Sequence, residues 1–148
     1  MSNFMERALA KRVLQLSVPE TVDIEKVSPN IMSGVKKALL SGETHYTERP
    51  GIKELREKVA LKLSVKADEV IITNGEKEAR FVAKLALNKI TDDIIFGDFD
   101  DVDGISSFRV GFVAGPREKI MKIRSLKQAL SICTAAPSQR AVILSLSS

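Results

Sequence analysis

With 148 residues, 44% of them hydrophobic, the chain has material for one domain around a single core and too little for two. Its 23 Lys and Arg stand against 19 Asp and Glu, so a net charge of +4 arises from interleaved signs; this excludes a disordered polyelectrolyte and lends no support to dedicated nucleic-acid binding. The only cysteine, Cys133, cannot close an internal disulfide, and with the only histidine, His45, it makes no zinc site without carboxylates or another chain, so a reducing cytoplasmic setting and no bound metal are expected.

In chain order, Asn3 to Leu16 places Phe4, Met5, Ala8, Val13 and Leu16 on one stripe and predicts an amphipathic N-terminal helix. Glu6, Arg7, Lys11 and Arg12 interrupt that stretch, so neither a signal peptide nor a membrane span is expected. Ser17 to Val27 reads as loop. Ser28 and Pro29 form an N-cap with proline at the first helical position, and Ile31, Met32, Val35, Ala38 and Leu39 continue the helix until Gly42. After a turn-rich run to Pro50, Ile52, Leu55, Val59 and Leu63 mark the next helix, with Lys and Glu on its other face.

Beyond Asp68, the apolar β-branched run Glu69 to Thr73 predicts a buried strand, ended by Asn74-Gly75 and followed by a helix through Phe81, Val82, Leu85 and Ala86 to about Lys89. Ile94-Ile95-Phe96 and Phe108 to Ala114 read as two more strands. Gly115-Pro116 opens a helix through Ile120, Ile123, Leu126 and Leu130, and Pro137 opens a last one to near Leu146. Residues 1–16 therefore form an N-terminal helix, 17–67 a loop with helices, and 68–148 a sheet with its packing helices, all in one domain.

Two stretches carry candidate chemistry. Where the strand at Thr73 hands over to the helix, Gly75 permits a tight turn and the first helical N–H groups lack internal partners, which suits a bound anion, phosphate above all. Glu76 would repel that anion and Lys77 would offset it. The helix after Pro116 carries Arg117, Lys119, Lys122, Arg124 and Lys127 against Glu118 alone, a basic face that could track phosphates or an acidic partner, although no aromatics accompany it. His45 is assigned to the turn beside Tyr46, with no nucleophile in view to serve as its partner.

The run Gly42-Glu43-Thr44-His45-Tyr46-Thr47-Glu48-Arg49-Pro50-Gly51-Ile52-Lys53-Glu54-Leu55-Arg56 resembles the hallmark segment of class I/II aminotransferases, the fold-type I enzymes that use pyridoxal phosphate. The strand ending in Thr73-Asn74-Gly75 is similar to that family's phosphate-cup strand. Ser107 to Pro116 is similar to its strand bearing an arginine and ending in Gly-Pro, and Thr134 to Gln139 to the start of its following helix. The resemblance implies that Gly75, Glu76 and Lys77 give backbone N–H groups to the cofactor phosphate, that Arg109 pairs with the same phosphate, and that Tyr46 reaches a neighbouring subunit's phosphate in a homodimer.

It also implies departures. The family's Schiff-base lysine lies eight residues before the arginine, and that position here is Asp101. No lysine stands between Lys89 and Arg109, and Asp98, Asp100, Asp101 and Asp103 crowd the segment. The missing length falls chiefly between Ile90 and Ile94, with more expected beyond Ser148, and takes with it the groups that would hold the pyridine ring. The implied fold is α/β, a small three-stranded mixed sheet flanked by about five or six helices, a remnant of the aminotransferase large domain. Its strands would run in the order 70–73, 108–114, 94–97, the second pair antiparallel. The last is an exposed edge, with Asp92, Asp93, Asp98, Asp100 and Asp101 as charges that discourage pairing.

The expected function is that of an aminotransferase-like protein that binds pyridoxal phosphate weakly or not at all and lacks a catalytic lysine; Lys77 or Lys89 would be the amines left to react. The alternatives are an interaction module that forms a homodimer or docks on a full-length aminotransferase, and a binder of phosphate ligands through Gly75 and Arg109 without chemistry. No nucleic acid or membrane partner is expected.

Overall fold

The computed structural model describes residues 27–102 and 104–147, so the predicted helix at 3–16 and nearly all of the loop at 17–27 lie outside the described residues. Among the described residues the chain forms five α-helices and a three-stranded sheet. The helices are α1 (Pro29–Leu40), α2 (Lys53–Leu63), α3 (Gly75–Ala86), α4 (Arg117–Ser131) and α5 (Ala136–Ser145). The strands are β1 (Val70–Thr73), β2 (Ile95–Asp98) and β3 (Gly111–Ala114). No helix among the described residues is long and apolar enough to cross a membrane.

The sheet order is β1-β3-β2, as the resemblance implies. Both ladders are antiparallel, pairing Val70 with Ala114 and Thr73 with Gly111 on one side, Ile95 with Ala114 and Asp98 with Gly111 on the other. The expectation of a mixed sheet is therefore corrected. Strands β1 and β2 run in the same direction, but each pairs only with β3, which runs against both.

Alternation along the strands splits the core into two layers. Val70, Ile72 and Ala114 face α1, α2 and α5 through Ile31, Val35, Leu55, Val59, Ala141 and Val142. Ile71 and Val113 face α3 and α4 through Ala79, Val82, Ala83, Ile120 and Ile123. All four residues of β1 are buried, which explains its continuous apolar run. Each such Val or Ile removed from water contributes about 1.5–3 kcal/mol.

Helix α1 follows its sequence pattern: Ile31, Val35 and Ala38 are its buried stripe. Ser28 occupies the N-cap position, yet its hydroxyl makes no cap bond, and proline's fixed φ sets the start instead. The chain leaves α1 through Gly42 at φ 86°, with the Glu43 N–H donating to Ala38 O at 3.0 Å. Helix α3 ends at Ala86, short of Lys89, because Leu87 turns to an extended conformation and buries its side chain.

The third predicted strand is also shorter than Phe108–Ala114. Ser106–Phe108 is a 3-10 turn and Arg109 follows it with φ 53°, so the ladder begins only at Gly111. Partly buried Phe108 packs into the layer facing α5, and the left-handed residue after it redirects the chain into β3.

Candidate functional site

The cradle lies where β1 meets α3. Gly75 opens the helix at φ 78°, a conformation that glycine adopts freely, and Thr73 Oγ1 donates to Gly75 O at 3.0 Å. The preceding N–H, on Asn74, is taken by Glu78 Oε2 at 2.6 Å. The N–H groups of Gly75, Glu76 and Lys77 remain as the donors that any helix start leaves without intrahelical acceptors.

Strand β3 presses directly on this corner. A Cβ on Gly111 would lie 2.4 Å from the carbonyl carbon of Gly75 and 2.6 Å from the amide nitrogen of Glu76, so only glycine lets the two backbones approach. Two residues earlier, Arg109 bends over the corner: its Nη2 is 3.5 Å from where a Cβ on Gly75 would sit. The left-handed backbone of a non-glycine residue costs on the order of 1 kcal/mol, and here it aims a guanidinium across a helix start.

Gly75, Glu76, Lys77 and Arg109 thus line one recess of about 220 Å³, together with Arg80, Asp98 and Asp100. Arg80 was not anticipated. It donates to Glu76 Oε1 at 2.5 Å and lies 4.7 Å from the centroid of the Phe96 ring. The signal was present in the sequence as an acid and a base four residues apart on one helix. Three cationic side chains face three carboxylates, so the recess is close to neutral in formal charge.

The other predicted residues lie elsewhere. Asp101 is exposed in the turn after β2, while Asp98 and Asp100 occupy the rim of the recess. Tyr46 is 77% exposed and lines two different hollows: one with His45 and Arg140, the other with His45, Asn74 and Cys133. Among the flanking aspartates, Asp93 accepts from Lys119 Nζ at 2.8 Å and from Thr91 Oγ1 at 2.5 Å. The Lys119 hydrogen bond foremost, then that of Thr91, holds its carboxyl below the usual range. No group of three His, Cys, Asp or Glu side chains among the described residues could hold a metal ion.

Most of the hallmark residues between 42 and 56 do structural work. Gly51, at φ 104°, has no room for a Cβ, which would fall 2.4 Å from Ile72 Cγ1. Leu55 is fully buried. Arg56 donates to Gly51 O, Ala67 O and Glu48 Oε2 at 3.0, 2.7 and 3.0 Å. Gln139, also fully buried, donates from Nε2 to Thr134 O at 2.7 Å and to Thr47 Oγ1 at 3.1 Å, and accepts the Ile52 N–H at 2.7 Å. The motifs around Tyr46 and at 134–139 are two halves of one joint.

A buried cation sits behind the cradle. Lys127 is 1% exposed, with Nζ 3.7 Å from Glu78 Oε2 and 3.2 Å from Ser131 Oγ. Burial pushes its amine down, against the opposing pull of Glu78. Glu78 therefore joins the start of α3 to the end of α4, accepting hydrogen bonds from Asn74 and Ser131 and forming an ion pair with Lys127.

No family model matches the chain. By sequence it is 37% identical over 89 residues to a (5-formylfuran-3-yl)methyl phosphate transaminase of Methanocaldococcus jannaschii, covering 56% of this chain and 23% of that protein. It is 35% identical over 98 residues to an aspartate aminotransferase of Thermotoga maritima, covering 60% of this chain and 26% of that one. The chain thus spans about a quarter of the length of these relatives. By structure it is similar to the Thermotoga maritima aspartate aminotransferase, with a TM-score of 0.76 and 15% identity across 97% of this chain and 70% of that chain. The aspartate aminotransferase of Rhizobium meliloti gives 0.77 and 15% across 97% and 67%.

Proposed function

Because this chain belongs to the aminotransferases, with the class I/II, aspartate aminotransferase-like fold over part of its relatives' length, we propose that it holds a phosphate-bearing ligand and does not carry out transamination. The observation that carries the reading is the cradle itself, in which Arg109 is bent over the start of α3 while Asp98 and Asp100 stand at the rim.

The family's cofactor is pyridoxal phosphate, and the residues present fit one half of it. Gly111 brings β3 against Gly75 and Glu76, Arg109 covers the corner, and the three helix-start N–H groups have no intrahelical acceptor, which together suit a phosphate. The aldehyde half finds no amine at the family's lysine position, where Asp101 cannot form an imine. At about 220 Å³ the recess is also smaller than the 300 Å³ or so of ordinary ligand sites. No chemical step is therefore assigned to the cofactor here.

The short connection supports the same reading. Only residues 87–94 separate α3 from β2. The relatives are more than twice as long as this chain, since 98 matched residues make up 26% of one of them. A match of 97% of this chain across 70% of such a structure spans residues that have no counterpart here. The test is the broadening of the phosphorus resonance of inorganic phosphate by the protein. The wild type should broaden it and Arg109→Gln should broaden it far less; equal broadening by both removes the reading.

A second reading is favoured by Tyr46, whose ring is 77% exposed at the tip of a loop otherwise anchored by Gln139. It supports a homodimer, or docking on a full-length aminotransferase, through that loop. Sedimentation of the wild type and Tyr46→Ala decides it: a monomer in both cases, indifferent to a full-length relative, contradicts this reading.

A further inference from the structure

We infer that the cleft bounded by the 48–50 loop, β1 and α4 is a second ligand site, built for a small organic molecule carrying two anionic groups, phosphate or carboxylate. It stands apart from the Arg109 cradle and shares no lining residue with it.

The structure divides the basic helix into separate tasks. Lys119 turns to Asp93 and Thr91, and Lys127 is buried against Glu78. What remains on one face are Arg117 and Arg124, seven residues and so two turns apart, with Ile120 and Met121 between them. That face forms one wall of a cleft of about 430 Å³, whose opposite wall supplies Arg49 and Arg56.

The four guanidiniums are not equally committed. Arg56 is held by two backbone carbonyls and Glu48 and serves as a fixed wall. Arg117 meets Asp68 at 3.3 Å, with both side chains more than half exposed, a contact that a better acceptor can displace. Arg49 and Arg124 have no hydrogen-bond or ion-pair partner among the described residues. Against Glu48 and Asp68 this leaves two uncompensated positive charges in one concavity, where the field is focused and an anion is attracted.

Guanidinium forks match the paired oxygens of carboxylate and phosphate. Exposed Met121 adds an apolar surface for the body of the ligand, backed by the buried Ile71 and Ile120. The volume lies within the range of small-molecule sites, and no aromatic side chain lines the cleft, so nucleobases have nothing to stack on.

The experiment follows the Met121 methyl resonance at low ionic strength during titration with pyrophosphate, succinate and a short single-stranded oligonucleotide. The proteins are wild type, the double variant Arg49→Gln with Arg124→Gln, and Arg109→Gln. Both exchanged arginines of the double variant are exposed, so the fold is retained. The expected result is a saturable shift with pyrophosphate or succinate, weakened at least tenfold in the double variant and unchanged in Arg109→Gln. Equal affinity in the double variant overturns the inference, as does loss in Arg109→Gln alone or a response to the oligonucleotide only. Since Arg109 is varied separately, failure of this site and failure of the cradle give different results.

Discussion

The guanidinium of Arg109 lies over Gly75, with Nη2 3.5 Å from the point where a side chain on Gly75 would begin. The contact joins the end of one strand's lead-in to the start of another strand's helix, and it exists because Gly111 lets β3 touch α3 backbone to backbone. The cradle is therefore a property of two glycines and one left-handed arginine.

Gly111→Ala should cost about 1–3 kcal/mol, since its Cβ would have to displace backbone atoms of Gly75 and Glu76. It should also weaken the phosphate response strongly, along with the loss of stability. Arg109→Gln should weaken the response strongly while leaving the urea midpoint almost unmoved, because the side chain is exposed. Chemical denaturation of the two variants side by side separates the effects.

Gln139→Leu should destabilise by about 3 kcal/mol. Leucine preserves the volume but leaves the buried Thr134 carbonyl and the Ile52 N–H without their partner. Hydrogen exchange at the Ile52 amide should accelerate more than exchange in α3, because the loss is centred on the joint between the loop and α5.

Glu78→Gln should cost about 3–5 kcal/mol near neutral pH, since it leaves the buried Lys127 ammonium without its counter-charge. The folded-state pKa of Lys127 lies below its unfolded value. Between the two the unfolded chain binds more protons, so stability rises with pH. Removing Glu78 lowers the folded value further. The deficit of the variant should shrink as the solution becomes alkaline, and unfolding curves across that range measure it; a pH-independent deficit contradicts the pairing.

Asp93 gives the opposite sign. Its folded pKa is depressed by Lys119 and Thr91, so its contribution is present above the ordinary carboxylate value and is lost as pH falls through the depressed one. Asp93→Asn should lower the urea midpoint at neutral pH and match the wild type in strong acid.

The helices and strands were legible in the sequence wherever a buried stripe set the period, as with Ile31, Val35 and Ala38 in α1 or Val70 to Thr73 in β1. The strand order and family came from motifs. The early end of α3 and the late start of β3 were not legible, because Leu87 and Arg109 leave their periodic patterns through backbone conformations that no residue type announces. Gly75, Glu76, Lys77 and Arg109 were found as a group since a strand, a turn glycine and a helix are adjacent in sequence or motif. Arg80 and the division of labour along α4 needed the tertiary packing, which alone shows that Lys119 and Lys127 are already engaged.

The most direct test of a phosphate cradle without a Schiff-base lysine is to incubate the chain with pyridoxal phosphate, reduce with borohydride and map the peptides. The expected result is association that inorganic phosphate competes away and Arg109→Gln abolishes, with no single lysine labelled stoichiometrically. One stoichiometric pyridoxyl-lysine, or turnover of an amino acid with 2-oxoglutarate, would contradict it.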